Sequence, residues 1–189
     1  MILFINCCAR ENSRTKKLAD ALLQRLGAYT ELNLYEEKLL PLNAARLSYR
    51  DALLSKKDLS DEIFACAKQF ASADVIVIAA PYWDLSFPAG LKTYIENIYV
   101  TGIVSEYDEN GMPRGLCRAK KLYYVTTAGG PYNPKYSYEY IRDMAVNFFG
   151  IQETELIAAE MLDIAGNNPD EILQHAVSKL IMPSSGKEI

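Results

Sequence analysis

The sequence predicts a three-layer α/β sandwich around a five-stranded parallel sheet of order 2-1-3-4-5. Apolar segments rich in β-branched residues alternate with segments of helical periodicity. Two of the apolar segments, Ile2–Cys7 and Ala73–Ala80, lack the alternation of a half-exposed strand, as central strands covered by helices do. Right-handed crossovers between such strands favour this order, in which ligands bind beyond the carboxyl ends of the first and third strands.

The other elements follow along the chain. Weaker strand candidates lie at Thr30–Tyr35, Lys121–Thr127 and Glu155–Glu160. Apolar stripes predict five helices, on Leu18, Leu22 and Leu26; on Ile63, Ala67, Phe70 and Ala71; on Leu91, Tyr94, Ile95 and Ile98; on Tyr140, Ile141, Met144 and Phe148; and on Ile172, Leu173, Ala176, Val177 and Leu180. Gly102–Arg118 is a long excursion before the fourth strand, and long loops in compact domains tend to be functional. We expect residues 1–182 to form one domain and Pro183–Ile189 to be a frayed tail.

Composition excludes several classes of protein. The 189 residues are 50% hydrophobic and 23% charged, which suits one globular domain. With 20 Lys and Arg against 24 Asp and Glu, the net charge of −4 argues against nucleic-acid binding. Apolar runs fall short of the roughly 20 residues of a membrane span, and no signal peptide is evident, so we expect a cytoplasmic protein. Four cysteines without a CxxC spacing and a single histidine argue against a metal site.

A candidate phosphate site follows the first strand. Its residues are Arg10, Ser13, Arg14 and Thr15, with Lys16 and Lys17 next to them. A helix is expected to begin at Ser13, and free N–H groups and basic side chains at a helix start favour an anion. A capped helix with a solvated basic first turn is the alternative. The chain has neither a dinucleotide-binding glycine motif nor a P-loop.

Two further loops follow the third and fourth strands. The first carries Pro81, Tyr82, Trp83, Asp84 and Leu85, and the second carries Thr127, Ala128, Gly129, Gly130 and Tyr132. Prolines and aromatic rings in the first loop predict a rigid apolar surface for a planar heterocycle, with core packing as the alternative. Glycines in the second loop allow close approach to a bound ring or a positive φ, with simple tight turning as the alternative.

These segments together resemble the flavodoxin-like FMN-dependent NAD(P)H:quinone oxidoreductases and NADH:azoreductases. Ala80–Lys92 is similar to the flavin loop A-P-x6-P-x-x-L-K, Thr127–Gly130 to the element S/T-x-G-G, and Gly102–Gly111 to the segment G-x-x-F-x-Y-x-E-N-G. The resemblance covers most of Met1–Leu180. It implies that the Arg10–Thr15 loop binds the FMN phosphate, that Tyr82–Leu85 hold the isoalloxazine and that Thr127, Gly129 and Gly130 hold its other edge. NADH or NADPH would reduce the flavin by hydride transfer to N5. A quinone- or azo-type acceptor would then follow in a ping-pong mechanism, without a side-chain nucleophile.

The resemblance also implies a homodimer in which each long loop covers the partner's flavin. The loop residues that would face substrate and partner are Tyr107, Glu109, Asn110 and Gly111. Three positions depart from the family: Ser105 replaces a common cavity-lining aromatic residue, Cys8 a Pro or Ser, and Asp84 a neutral polar or aromatic residue. A carboxylate of Asp84 at the ring would lower the flavin potential, whereas one pointing to solvent would not.

Two other functions stay open at this point. Cys8-x5-Arg14-Thr15 satisfies C-x5-R-S/T, the phosphate loop of low-molecular-weight tyrosine phosphatases and arsenate reductases. A low-pKa thiolate of Cys8 would then attack phosphorus, but the usual general-acid Asp-Pro is absent and Asn168-Pro169-Asp170 reads as a helix cap. A flavin electron carrier or redox sensor switched by Cys7 or Cys8 is the third reading. The flavin enzyme is favoured because it explains all three loops together.

Overall fold

Five parallel strands form the main sheet of the computed structural model, which describes residues 1–37 and 39–181. In chain order the strands are β1 (Ile2–Asn6), β2 (Tyr29–Asn33), β3 (Val75–Ala79), β4 (Ser105–Tyr107), β5 (Pro113–Gly115), β6 (Lys121–Thr127) and β7 (Glu153–Ala159). The sheet order is β2-β1-β3-β6-β7, which confirms the predicted order, while β4 and β5 pair separately and antiparallel. The tail expected to fray lies outside the described residues.

Six α-helices lie within the described residues. They are α1 (Arg14–Leu26), α2 (Ala44–Ser55), α3 (Ala65–Ser72), α4 (Ala89–Ile98), α5 (Tyr138–Met144) and α6 (Pro169–Ile181). A short 3-10 turn precedes α3, and a π-helical turn, Ala145–Phe149, extends α5. The prediction of five helices is wrong because it missed α2, which has no buried residue and so no core stripe to mark it.

Helices cover both faces of the sheet and create two apolar cores. Leu3 and Ile5 of β1 belong to the core with Phe70 of α3, whereas Phe4 belongs to the core with Leu18 of α1. Both faces of β1 therefore need apolar residues, which accounts for its unbroken apolar run. No helix in the described part of the chain is long and apolar enough to cross a membrane.

The long excursion before β6 is a β-hairpin. At its tip the Asp108 carboxylate accepts hydrogen bonds from the backbone N–H groups of Asn110 (2.8 Å) and Met112 (2.9 Å). At its base the Leu116 N–H donates to the Val104 carbonyl at 2.9 Å. Ser105 is fully buried, so its side chain lines no open cavity of this chain. The hairpin is thus anchored at its base and exposed at its tip.

Candidate functional site

A cavity of about 410 Å³ opens beyond the carboxyl ends of β1, β3 and β6. It is lined by Ala9, Arg10, Asn12, Ser13, Arg14, Thr15, Pro81, Tyr82, Trp83, Thr127, Gly129 and Asp163. All three loops singled out in the sequence contribute to this wall. Its position is the switch point where open α/β sheets bind ligands, and its volume lies in the range of small-molecule sites.

The start of α1 forms one end of the cavity. Ser13 is the N-cap residue, and its hydroxyl oxygen accepts a hydrogen bond from the Lys16 N–H at 3.3 Å, as the sequence predicts. The hydroxyls of Thr15 and Thr127 lie 2.6 Å apart, so they join α1 to β6. The hydrogen bond between them uses the proton of one hydroxyl, and the proton of the other hydroxyl is left to donate to a ligand. This end of the cavity therefore presents hydroxyl and N–H donors together.

The basic side chains between residues 10 and 17 lie on different surfaces of the protein. Arg10 and Arg14 line the cavity, but the Lys16 ammonium lies 2.8 Å from the Asp20 carboxylate. Lys17 lies in a separate groove against α6. Adjacent residues of a helix point about 100° apart, so Lys16 and Lys17 face different surfaces. Of the basic residues near the start of α1, only Arg10 and Arg14 therefore bring positive charge to the cavity.

The loop after β3 contains a tight two-residue turn. Trp83 and Ser86 exchange backbone hydrogen bonds of 2.9 and 2.8 Å, while Asp84 and Leu85 between them adopt φ values of 48° and 69°. Positive φ at both central residues is normally left to Gly or Asn, so this turn is strained. Leu85 is 62% exposed and, like the exposed Asp84, does not line the cavity. The turn projects from the rim, with Trp83 at its base.

The loop after β6 closes the cavity on the opposite side. Neither Gly129 nor Gly130 adopts a positive φ, so that part of the expectation is wrong. A Cβ on Gly129 would lie 2.3 Å from Oδ2 of Asp163, and the glycine therefore makes room for that carboxylate. Ala128 is buried, and Gly130 and Tyr132 lie in the loop outside the cavity wall. The Tyr132 ring packs against Tyr82 at 4.9 Å between centroids and so joins the two loops.

Comparison with known proteins places these features in a family. A family profile described as a flavodoxin-like fold matches residues 1–181. The chain belongs to this flavodoxin-like family. An FMN-dependent NADH:quinone oxidoreductase of Clostridium perfringens is 36% identical over 178 residues, covering 89% of each chain. One of Clostridium beijerinckii is 35% identical over 190 residues, covering 94% of each. The crystal structure of an azoreductase from Bacillus anthracis has a TM-score of 0.80 at 25% identity, over 95% of each chain.

The surroundings of Cys8 do not suit the nucleophile of a phosphatase. Its side chain is 7% exposed in the core with Phe4 and Leu18, and its Sγ lies 3.7 Å from the Ala79 carbonyl oxygen. Burial raises the pKa of the Cys8 thiol to about 11, and it also raises the pKa of fully buried Cys7. A phosphatase nucleophile needs a lowered pKa and access to substrate. The geometry therefore argues against the phosphatase and against a cysteine redox switch.

Two acidic residues were missed in the sequence, Asp163 in the cavity wall and Glu160 in the adjoining loop contact. Nη1 of Arg14 donates to Oδ1 of Asp163 at 2.6 Å, and Oε2 of Glu160 accepts from the Tyr132 N–H at 2.6 Å. Their position just past the end of β7, at the ligand edge of the sheet, was the one signal available. Conversely, the predicted residues of the hairpin tip do not reach the cavity of their own chain: Tyr107, Glu109, Asn110 and Gly111.

Proposed function

We propose that this chain is an FMN-dependent oxidoreductase that passes reducing equivalents from NADH or NADPH to a small quinone- or azo-type acceptor. The observation that carries the proposal is a single cavity with a donor-rich helix start at one end and aromatic side chains at the other. Relatives named FMN-dependent NADH:quinone oxidoreductases, which match along nearly the whole chain, support it.

The residues of the cavity fit FMN. Ser13, Thr15, Arg10 and Arg14 would hold the phosphate, since hydroxyls, arginines and a helix N-terminus all favour a phosphate dianion. Tyr82 and Trp83 would hold the ring, together with the backbone of the 127–132 loop. The Tyr82 hydroxyl is buried without a hydrogen-bond partner, so it is one polar group that a bound heterocycle could satisfy. Bound FMN supplies reversible acceptance of a hydride, which no side chain of the site can provide.

The shape of the site supports a ping-pong order. The cavity is one site with the exposed Trp83 side chain at its rim, so the donor and the acceptor would occupy the same place in turn. The oxidised nicotinamide nucleotide would leave before the acceptor binds. Purified protein should be yellow with a flavin spectrum, and double-reciprocal plots at varied NADH and quinone should be parallel. Colourless protein that cannot be loaded with FMN would overturn the function, and intersecting plots would overturn only the order.

Cys8→Ser should leave NADH oxidation intact. At a pKa of about 11 only about one Cys8 thiol in ten thousand is ionised at pH 7, so it contributes no nucleophile. We expect quinone turnover within twofold of wild type and no hydrolysis of p-nitrophenyl phosphate by either protein. Cys66→Ser, at a partly buried thiol that does not line the cavity, is the matched control. Loss of turnover in Cys8→Ser alone, with normal FMN content, would contradict this assignment.

Asp84→Asn should change the flavin midpoint potential little. The carboxylate is exposed on the strained turn and outside the cavity wall, where water and salt screen its charge. We expect a shift below about 10 mV, because about 30 mV corresponds to 1.4 kcal/mol for a two-electron couple. A spectroelectrochemical titration of both proteins, each fully loaded with FMN, measures it. A rise of tens of millivolts would place the carboxylate at the ring instead.

We also propose a homodimer in which the hairpin tip contacts the partner near its cavity. Tyr107 and Met112 at the tip and Leu47 and Tyr49 on α2 are exposed apolar side chains in need of cover. Sedimentation velocity should give a dimer at micromolar concentration. Deletion within Glu106–Pro113 should shift it towards monomer and lower quinone turnover more than FMN affinity. A wild-type monomer with full activity would be incompatible with this assembly.

A further inference from the structure

Asp163 places a negative charge inside a cavity that otherwise suits an anion. Its Oδ1 accepts from Nη1 of Arg14 at 2.6 Å, and both residues line the cavity. Arg14 is one of the two cationic side chains in the cavity wall. Half of the side-chain positive charge available to a phosphate is therefore already paired with a carboxylate of the same chain.

Backbone hydrogen bonds hold the residue that carries this carboxylate. The Asp163 N–H donates to the Gly129 carbonyl at 2.8 Å and the Leu162 N–H to the Ala128 carbonyl at 3.2 Å, which continues the pairing of β6 with β7 past their ends. Met161 turns the chain there with a φ of 64°. Oδ2 occupies the space above Gly129 that any larger residue would fill. The backbone next to the carboxylate is thus held in the wall, whereas the guanidinium that meets it is on a long flexible side chain.

The pair is too exposed to act as a rigid clamp. The side chains of Arg14 and Asp163 are 39% and 67% exposed. Solvated ion pairs of this kind contribute little to stability, because water and salt screen them. A phosphate dianion at the start of α1 would gain the helix N–H groups and hydroxyls in addition to the arginine, which favours it over Asp163 as the partner of Arg14.

We propose that Asp163 takes the place of the flavin phosphate as the anionic partner of Arg14 at the cavity wall, and that it thereby sets the affinity for phosphorylated flavin. Cofactor binding then exchanges one anionic partner of Arg14 for another, and the remaining carboxylate opposes the phosphate charge. The inference rests on the proposed function and names Asp163 as a positioning and specificity residue of that site. Asp163 would weaken binding of FMN without affecting the phosphate-free flavin.

Five proteins and two flavins test this: wild type, Asp163→Asn, Asp20→Asn, Arg14→Gln and the double variant Arg14→Gln/Asp163→Asn. Asp163→Asn removes the charge but keeps the side-chain shape above Gly129. Asp20→Asn is the matched control, because it changes the net charge equally on α1 while its carboxylate pairs with Lys16 away from the cavity. Quenching of flavin fluorescence gives dissociation constants of the apoproteins for FMN and for riboflavin, at low and high salt. Thermal unfolding of each apoprotein checks that it is folded.

For Asp163→Asn we expect FMN affinity to rise about fivefold at low salt, the equivalent of ~1 kcal/mol, and less at high salt. Riboflavin affinity should stay within twofold, as should both affinities of Asp20→Asn. In an Arg14→Gln background the effect of Asp163→Asn should shrink, since the guanidinium is what the carboxylate holds. Weaker or unchanged FMN binding by Asp163→Asn, or an equal change for riboflavin or for Asp20→Asn, would overturn the inference. Absence of FMN binding by wild type would overturn the proposed function itself.

Discussion

Replacing Ser13 and Thr15 together by Ala is expected to weaken FMN binding at least tenfold. The Ser13 hydroxyl accepts from the Lys16 N–H, so its own proton is left to donate to a phosphate oxygen. The hydroxyl pair of Thr15 and Thr127 keeps one further proton. Each lost donor costs about 1 kcal/mol, and about 1.4 kcal/mol is a factor of ten in affinity. Fluorescence titration of the apoprotein with FMN measures the change.

Loss of the helix cap must be separated from loss of the phosphate contact. Asn43 is the matched control, because its side chain caps α2 by accepting from the Arg46 N–H at 3.0 Å and lies outside the cavity wall. Asn43→Ala should lower the free energy of unfolding by about 1 kcal/mol, as is also expected for Ser13→Ala, but leave FMN affinity unchanged. If the double variant binds FMN as tightly as wild type does, the start of α1 is not the phosphate site.

Burial explains which parts of the fold could be predicted from the sequence. β1 and β3 are covered on both faces, so their apolar runs were evident, and the predicted bounds of β6, Lys121–Thr127, agree with the structure. α2 has no fully buried residue, only Leu53 and Leu54 partly buried against the core, so no buried stripe marks it in the sequence. The hairpin strands have three residues each, and their position depends on a contact with Gly150 that is distant in the chain. Local patterns carry no information about such contacts.

Site residues could be predicted from the sequence where their role depends on neighbours in the same segment, but not where it depends on a distant segment. Ser13 was recognised because a capping residue acts within its own first turn. Asp163 was missed because its role depends on Arg14, 149 residues earlier in the chain. The role of Gly129 could not be predicted for the same reason, because its missing side chain makes room for the distant Asp163. Lys16 and Lys17 add less positive charge to the site than their place in the sequence indicates, because helix geometry turns adjacent residues to different faces.

The base of the hairpin depends on a contact between two backbones. A Cβ on Gly115 would lie 2.1 Å from the Gly150 nitrogen and 2.1 Å from the Phe149 carbonyl carbon. Gly150 ends the π-helical turn in a left-handed conformation with φ of 79°, and the Phe149 carbonyl accepts from the Cys117 N–H at 3.2 Å. Since the obstructing atoms belong to the backbone of a packed turn, no side-chain rotation can relieve the overlap.

Gly115→Ala should therefore destabilise the protein by about 3 kcal/mol, the upper part of the range for overpacking, and lower the melting temperature by roughly 6–12 °C for a chain of this size. Gly90→Ala is the same chemical change at a position in α4 where a Cβ meets nothing within 4 Å and φ is not positive. There the lower backbone entropy of the unfolded chain should stabilise the protein by up to about 1 kcal/mol. Urea unfolding of both variants measures the two free energies, which should differ in sign. If Gly115→Ala unfolds within 0.5 kcal/mol of wild type, the hairpin does not pack against the π-helical turn, and the exposed tip would then have no fixed direction from which to reach a partner.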